Sequence, residues 1–246
     1  MNILIVESEN DQYFIEALAK KVSSENQVCR IDDYKYSSLD EKKLTTVITG
    51  ALDRVRNISK LGIILDMDNS TPEKRIQLIN KCLKNSFHER NYPVPCNLLT
   101  NIKEFITNPL DDYLNVKIAC FFTNIDGEGE LETVLKAIAF KPEPVFADCL
   151  YTGWKSCLEK NGKTIGKRGE PCDISEKELL KLWVDFYKRF DTLKRRDRNE
   201  KNTDWKGIML GIENEKGKIK EARGKEIFDL QSDKLKELKS FLSMFD

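Results

Sequence analysis

Three short stretches carry residues that could do chemistry together. The chain opens MNILIVESENDQYFIEAL, in which the apolar run Asn-Ile-Leu-Ile-Val ends at Glu7, with Asp11 close behind. LGIILDMDN places Asp66 and Asp68 two residues apart at the end of a second apolar run. VKIACFFTNIDGEGELE carries a third run into Asp126, Glu128, Glu130 and Glu132. Carboxylates at strand ends are common because turns favour Asp and Asn. Three such ends on one edge of a sheet would crowd negative charges that raise one another's pKa. A hard divalent cation with oxygen ligands, Mg²⁺ or Mn²⁺, would remove that conflict.

The elements that must position these groups follow from apolar spacing. Residues 2–6, 28–33, 61–66 and 116–123 read as strands, the third apolar throughout as a central parallel strand would be. Between them lie helical patterns from about Phe14 to Val22, over 39–58 and from Pro72, with Thr71 as N-cap. Residues 94–107 suggest a short strand pair, and 130–139 a helix. This alternation predicts an α/β fold with a mainly parallel sheet flanked by helices. After the KPEP of 141–144 the strands nearly stop. Helices are expected over 145–160, 175–195 and 232–245, while KGIMLGI at 206–212 fits helix or strand. The expected organisation is an α/β domain over 1–140 and a largely helical part over 145–246 packed on it. In open α/β sheets ligands bind outside the carboxyl ends of the strands, where these acidic groups fall.

Composition narrows the chemistry. The 246 residues hold seven cysteines, no C-x-x-C pair and one histidine, His88. That argues against a disulfide framework, a zinc ribbon and a multi-histidine metal site. No apolar run approaches the ~18 residues of a membrane span. The first run is also too short for a signal peptide, so a cytoplasmic protein is expected. The net charge is zero but unevenly spread. KRFDTLKRRDRNEK, residues 188–201, is densely basic. It fits either a solvated helix face or, through Lys194, Arg195, Arg196, Arg198 and Lys201, a groove for a polyanion. Trp154, Trp183 and Trp205 could stack on bases or pack in the core.

ILIVESENDQYFI and LGIILDMDN together resemble the Toprim domain, in which one strand ends in Glu and a later one in Asp-x-Asp. Ser8 stands where many Toprim proteins have Gly. GELETVL and the C-terminal KNTDWKGIMLGI and FDLQSDKLKELKSFLSMF are similar to small standalone Toprim proteins, allied to OLD-like nucleases and to the tRNA-cleaving effector of the PARIS phage-defence system. That group usually has Asp-Asn after the last strand, where this chain has TNIDGE, so Asn124 and Asp126 are approximate counterparts.

The resemblance implies a Mg²⁺- or Mn²⁺-dependent nuclease acting on DNA or RNA, tRNA included. Glu7 would be the catalytic acid/base or a metal ligand, and Asp66 and Asp68 would hold the metal. Asp11 would serve a second ion. Glu132 would either join it or cap its own helix. An ATPase partner and a homodimer are compatible with it, and so is a partner-binding subunit that cuts nothing or acts only after release.

Overall fold

The computed structural model describes residues 2–22, 26–31, 39–54, 58–68, 70–125, 127, 129–140, 145–161, 176–198, 200–213, 219–220 and 223–246. The chain runs β1 (Asn2–Val6), α1 (Glu9–Val22), β2 (Asn26–Arg30), α2 (Glu41–Arg54), β3 (Lys60–Asp66), α3 (Pro72–Glu89), β4 (Ile106–Pro109) and β5 (Asn115–Thr123). It continues α4 (Leu131–Ala137), α5 (Val145–Asn161), α6 (Glu176–Phe186), α7 (Glu200–Thr203), α8 (Trp205–Leu210), β6 (Ile212–Glu213), β7 (Ile219–Lys220), α9 (Gly224–Ile227) and α10 (Lys236–Ser243). It divides into two compact units, one of residues 1–131 with 233–246, the other of 132–232.

The first unit is built on a mixed, mostly parallel five-stranded sheet of order β2-β1-β3-β5-β4. Strands β2, β1, β3 and β5 are parallel, and β4 lies antiparallel on β5 at the edge. Alternation of side chains across each strand divides the core between two faces. Ile3 and Ile5 of β1, Leu61, Ile63 and Leu65 of β3, and Ile118, Cys120 and Phe122 of β5 pack with Leu44 and Ile48 of α2 and Ile79, Leu83 and Phe87 of α3. On the opposite face Phe121 meets the Phe241 ring of α10 at 5.5 Å, and Phe245 stacks edge-on to Phe105 at 5.3 Å. Burial pushes the Cys120 thiol up to about 12, so it is a packing group rather than a nucleophile.

Gly62, at the centre of β3, makes this second layer possible. A Cβ there would lie 2.5 Å from Leu4 Cδ2 and 2.7 Å from Phe245 Cζ, so any side chain would force one or both of them to shift. The C-terminus is fastened at the same place. Lys60 Nζ donates to the carbonyls of Met244 and Asp246, both at 2.7 Å.

Only one strand forms in the region expected to hold a short pair, because side chains serve the rest of its backbone. Asn80 bonds both N–H and C=O of Leu99, at 2.9 and 2.8 Å, and the buried Asn108 bonds both of Asn97, each at 2.9 Å.

Among its described residues the second unit is mainly helical, with the two-residue strands β6 and β7 paired antiparallel. Asp191 is buried because its two carboxylate oxygens accept the N–H groups of Phe146 and Ala147, opening α5. The helix expected over 175–195 is instead α6 followed by a π-helical turn at Tyr187–Asp191. Tyr187 stacks on Trp183 at 5.0 Å and donates its hydroxyl to Ile227 O at 2.9 Å. KGIMLGI resolves into α8, capped by Asp204 on Gly207 N–H, and ends at Gly211 with φ +91° before β6 begins. Among the described residues, no helix is long and apolar enough to cross a membrane.

Candidate metal centre

Parallel neighbours align their carboxyl ends, so the pairing of β1 with β3 determines what meets beyond them. Glu7 leaves β1 and its Oε1 accepts the backbone N–H of Asp66 at 2.8 Å. Ser8 has no left-handed backbone, which removes the need for glycine there. Instead Ser8 and Asp11 form a reciprocal cap on α1: Ser8 N–H and Oγ–H donate to Asp11 Oδ2 at 2.9 and 2.5 Å, and Asp11 N–H donates to Ser8 Oγ at 3.3 Å.

Beyond Asp66 the chain keeps pairing for two more residues. Met67 N–H reaches Thr123 O at 3.1 Å, and Asp68 N–H reaches Gly129 O at 2.9 Å. Asp68 itself adopts φ +49°, a left-handed conformation that Asp tolerates better than most residues. Gly129, at φ +100°, is in a region that side chains rarely enter. This isolated bridge sets Glu130 beside the end of β3. Ligand oxygens of Asp66, Asp68 and Glu130 then lie within 4.8 Å of one another, with Asp66 and Glu130 buried and Asp68 partly exposed. Asp66 Oδ1 also accepts the N–H of Leu131 at 3.1 Å, which holds its carboxylate in place.

Among the described residues, Arg75 is a cation close to the cluster. Arg75 is buried on the first turn of α3, and its Nη2 donates to Asp68 Oδ2 at 2.6 Å. Thr71 caps that helix and Pro72 starts it, which aims Arg75 back at the end of β3. Burial lifts the pKa of Glu7 to about 7; Asp11 and Asp68 push the same way, while Arg75 and the Asp66 N–H oppose them. Three carboxylates with oxygen donors only suit a hard divalent ion such as Mg²⁺ or Mn²⁺. The fit is therefore to a divalent cation, not to a soft-metal or haem centre.

Glu7, Asp66 and Asp68 are thus brought together. The fourth acidic partner is Glu130, whereas Glu132, two residues on, is buried in the first turn of α4 and stands outside the cluster. Asp11 is buried but is likewise outside it. Asp126 and Glu128 lie outside the described residues. Asn124 ties down the loop, its Oδ1 accepting Gly127 N–H at 2.9 Å. Arg75 escaped sequence reasoning, although Thr71-Pro72 offered a signal: once the helix start is known, the fourth helical residue can be placed near the strand end.

The basic stretch is not a uniform exposed face. Lys194, Arg195 and Arg196 are exposed, around a short 3₁₀ turn. Arg198 is engaged with the carbonyls of Leu193 and Phe190 and lies 5.1 Å from the Phe190 ring. Lys201 belongs to α7. Trp183 and Trp205 are buried and Trp154 is half exposed.

Replacing Arg75 with Leu is expected to remove the ion pair to Asp68 Oδ2 beside the other carboxylates. Stability should fall by about 1–3 kcal/mol, less than for a fully buried pair because Asp68 is partly solvated. Chemical denaturation at neutral pH measures this, and a loss that shrinks as Asp68 is protonated at low pH would identify the charge as the cause.

No curated protein and no solved structure matches the chain. A family model does match, over residues 1–245, and the chain therefore belongs to the family described as Protein of unknown function (DUF3226).

Proposed function

We propose that the first unit is a Toprim-type, Mg²⁺- or Mn²⁺-dependent phosphodiesterase that cuts nucleic acid. The observation that carries this reading is the junction of β1 and β3. A strand ending in Glu and its parallel neighbour ending in Asp-x-Asp are joined by the Glu7–Asp66 hydrogen bond, beside a three-carboxylate cluster able to hold a divalent ion.

Asp66, Asp68 and Glu130 would hold the ion. When bound, it would supply Lewis-acid stabilisation of phosphoryl oxygens and a more acidic water. Leu131 N–H orients the Asp66 carboxylate. Glu7 Oε1 is anchored on Asp66 N–H, so Oε2 is the atom that would take or return a proton. Asp11 keeps Ser8 and the start of α1 in place and adds negative charge near Glu7, which suits a second cation. Lys194, Arg195 and Arg196 would contact the phosphate backbone. The setting that the resemblance implies is a phage-defence effector, with RNA including tRNA among its substrates and an ATPase as its partner.

The test is incubation of the purified chain with duplex DNA, total RNA and tRNA, with Mg²⁺, Mn²⁺ or EDTA. Cleavage that requires the ion and is lost in Asp66→Asn supports the reading. A melting temperature that rises with Mn²⁺ in the wild type, and not in Asp68→Asn, tests the ion site without relying on activity. Failure of both would favour a non-catalytic, partner-binding subunit.

A separate expectation concerns the basic stretch. Arg195→Glu/Arg196→Glu should weaken nucleic-acid binding at low salt and reduce the slope of log K against log salt by about one per lost phosphate contact. Fluorescence anisotropy across salt concentrations measures both. An unchanged slope would make the stretch a solvated surface.

A further inference from the structure

We infer that the outward face of α5 is a self-association surface, on which a second copy of this chain packs its own α5 antiparallel about a two-fold axis. The inference concerns the second unit alone and does not depend on the proposed nuclease activity.

The face is unusually apolar for a surface. Val145 is 66 % exposed, Phe146 56 %, Leu150 37 % and Trp154 48 %. Cys149 and Cys157 are exposed beside them, and Gly153 is too. Two charged groups of the same helix are engaged within the unit: Asp148 Oδ1 accepts Trp183 Nε1–H at 2.7 Å, and Lys155 lies 5.9 Å from the Tyr151 ring, while Lys160 is exposed in the last turn. A partner on the outward face would therefore bury no unpaired charge from these two groups.

Area and shape point to a second copy as the occupant. Large aromatic side chains carry ~150–250 Å² each, so with these exposures the four large residues offer roughly 400 Å² of apolar surface. A standard interface takes about 800 Å² from each partner, somewhat over half of it apolar, so the face supplies most of that apolar share. Phe146, Leu150 and Trp154 recur every four residues and form a ridge. Cys149, Gly153 and Cys157 recur at the same spacing and form a row of small residues beside it. Ridges of this spacing pack into grooves of the same spacing at a crossing near −50°. In an antiparallel pair centred between Tyr151 and Thr152, Leu150 stands opposite Gly153, Trp154 opposite Cys149 and Phe146 opposite Cys157. Phe146, Leu150 and Trp154 each meet a small residue, and Val145 falls opposite Leu158. The match is reciprocal, as a two-fold interface requires.

Sedimentation equilibrium on the full chain, from about 1 to 100 μM, is the test, since interfaces of this size hold at micromolar affinity or tighter. The wild type should be a dimer that Leu150→Lys and Gly153→Leu each convert to monomer. A Cβ at Gly153 meets nothing within 4 Å in its own chain, so Gly153→Leu should leave the fold intact, as circular dichroism would verify. Oxidised Trp154→Cys should give a disulfide-linked dimer that an added Cys149→Ser abolishes. A wild type that stays monomeric throughout, or a dimer that neither α5 variant weakens, overturns the inference.

Discussion

Glu7→Gln is expected to reduce cleavage by ~10²–10⁴-fold, the range typical of losing a general acid or base, without unfolding the chain. Glutamine keeps the length of the side chain and still offers Oε1 to Asp66 N–H. It loses only the charge and the exchangeable proton. The same variant should report on stability in the opposite sense. Folded Glu7 holds its proton up to about pH 7, against a reference of 4.5. Between those values the native state binds more protons than the unfolded state, so stability falls as pH rises. The penalty is absent below about pH 4.5 and complete above about pH 7. In EDTA, Glu7→Gln should therefore be the more stable protein at neutral pH, by on the order of 3 kcal/mol, and should lose that advantage on acidification. Cleavage by matched folded preparations and denaturant melts across pH measure the two effects. Equal cleavage would remove Glu7 from the chemistry. An unchanged pH profile would show that its proton is not held by the fold.

The second large effect lies in the packing that carries the C-terminus. Phe245 is fully buried between the rings of Phe105 and Phe241 and against the bare backbone of Gly62. Phe245→Ala should cost about 3–5 kcal/mol, through lost burial and the cavity left behind. Gly62→Ala in the wild type should itself cost roughly 1–3 kcal/mol, because its methyl group would collide with the Phe245 ring and with Leu4. In the double variant the new methyl enters part of the vacated volume. The two losses should therefore sum to less than their separate values, with a coupling of about 0.5 kcal/mol or more. Additive losses would show that the terminal ring does not rest on Gly62.

The strand ends that carry the acidic groups are legible in the sequence. Apolar runs ending in Glu7 and in Asp66-Met67-Asp68 mark strand ends, because strand length and helix periodicity are local properties of the chain. The mostly parallel sheet follows from their alternation with helices, since parallel neighbours need a crossover between them. Thr71 and Pro72 announced the start of α3 for the same local reason, and Thr71 does accept Lys74 N–H there.

Tertiary structure decided what sits beside those strand ends. TNIDGEGELE offers several carboxylates within a few residues, and spacing ranks none of them above the others. The choice of Glu130 over Glu132 comes from the Asp68–Gly129 bridge and its backbone conformations, a pairing between segments far apart in sequence. Arg75 was hidden for a related reason. Its role needs both the capped helix start and the turn after β3, and each is unremarkable alone. Gly62 reads in sequence as an ordinary gap in an apolar strand, until the last aromatic of the chain returns to fill it. Local sequence sets where strands and helices begin and end. Which of their residues touch is a property of long-range packing, where one register step or one aromatic ring exchanges one carboxylate or glycine for another.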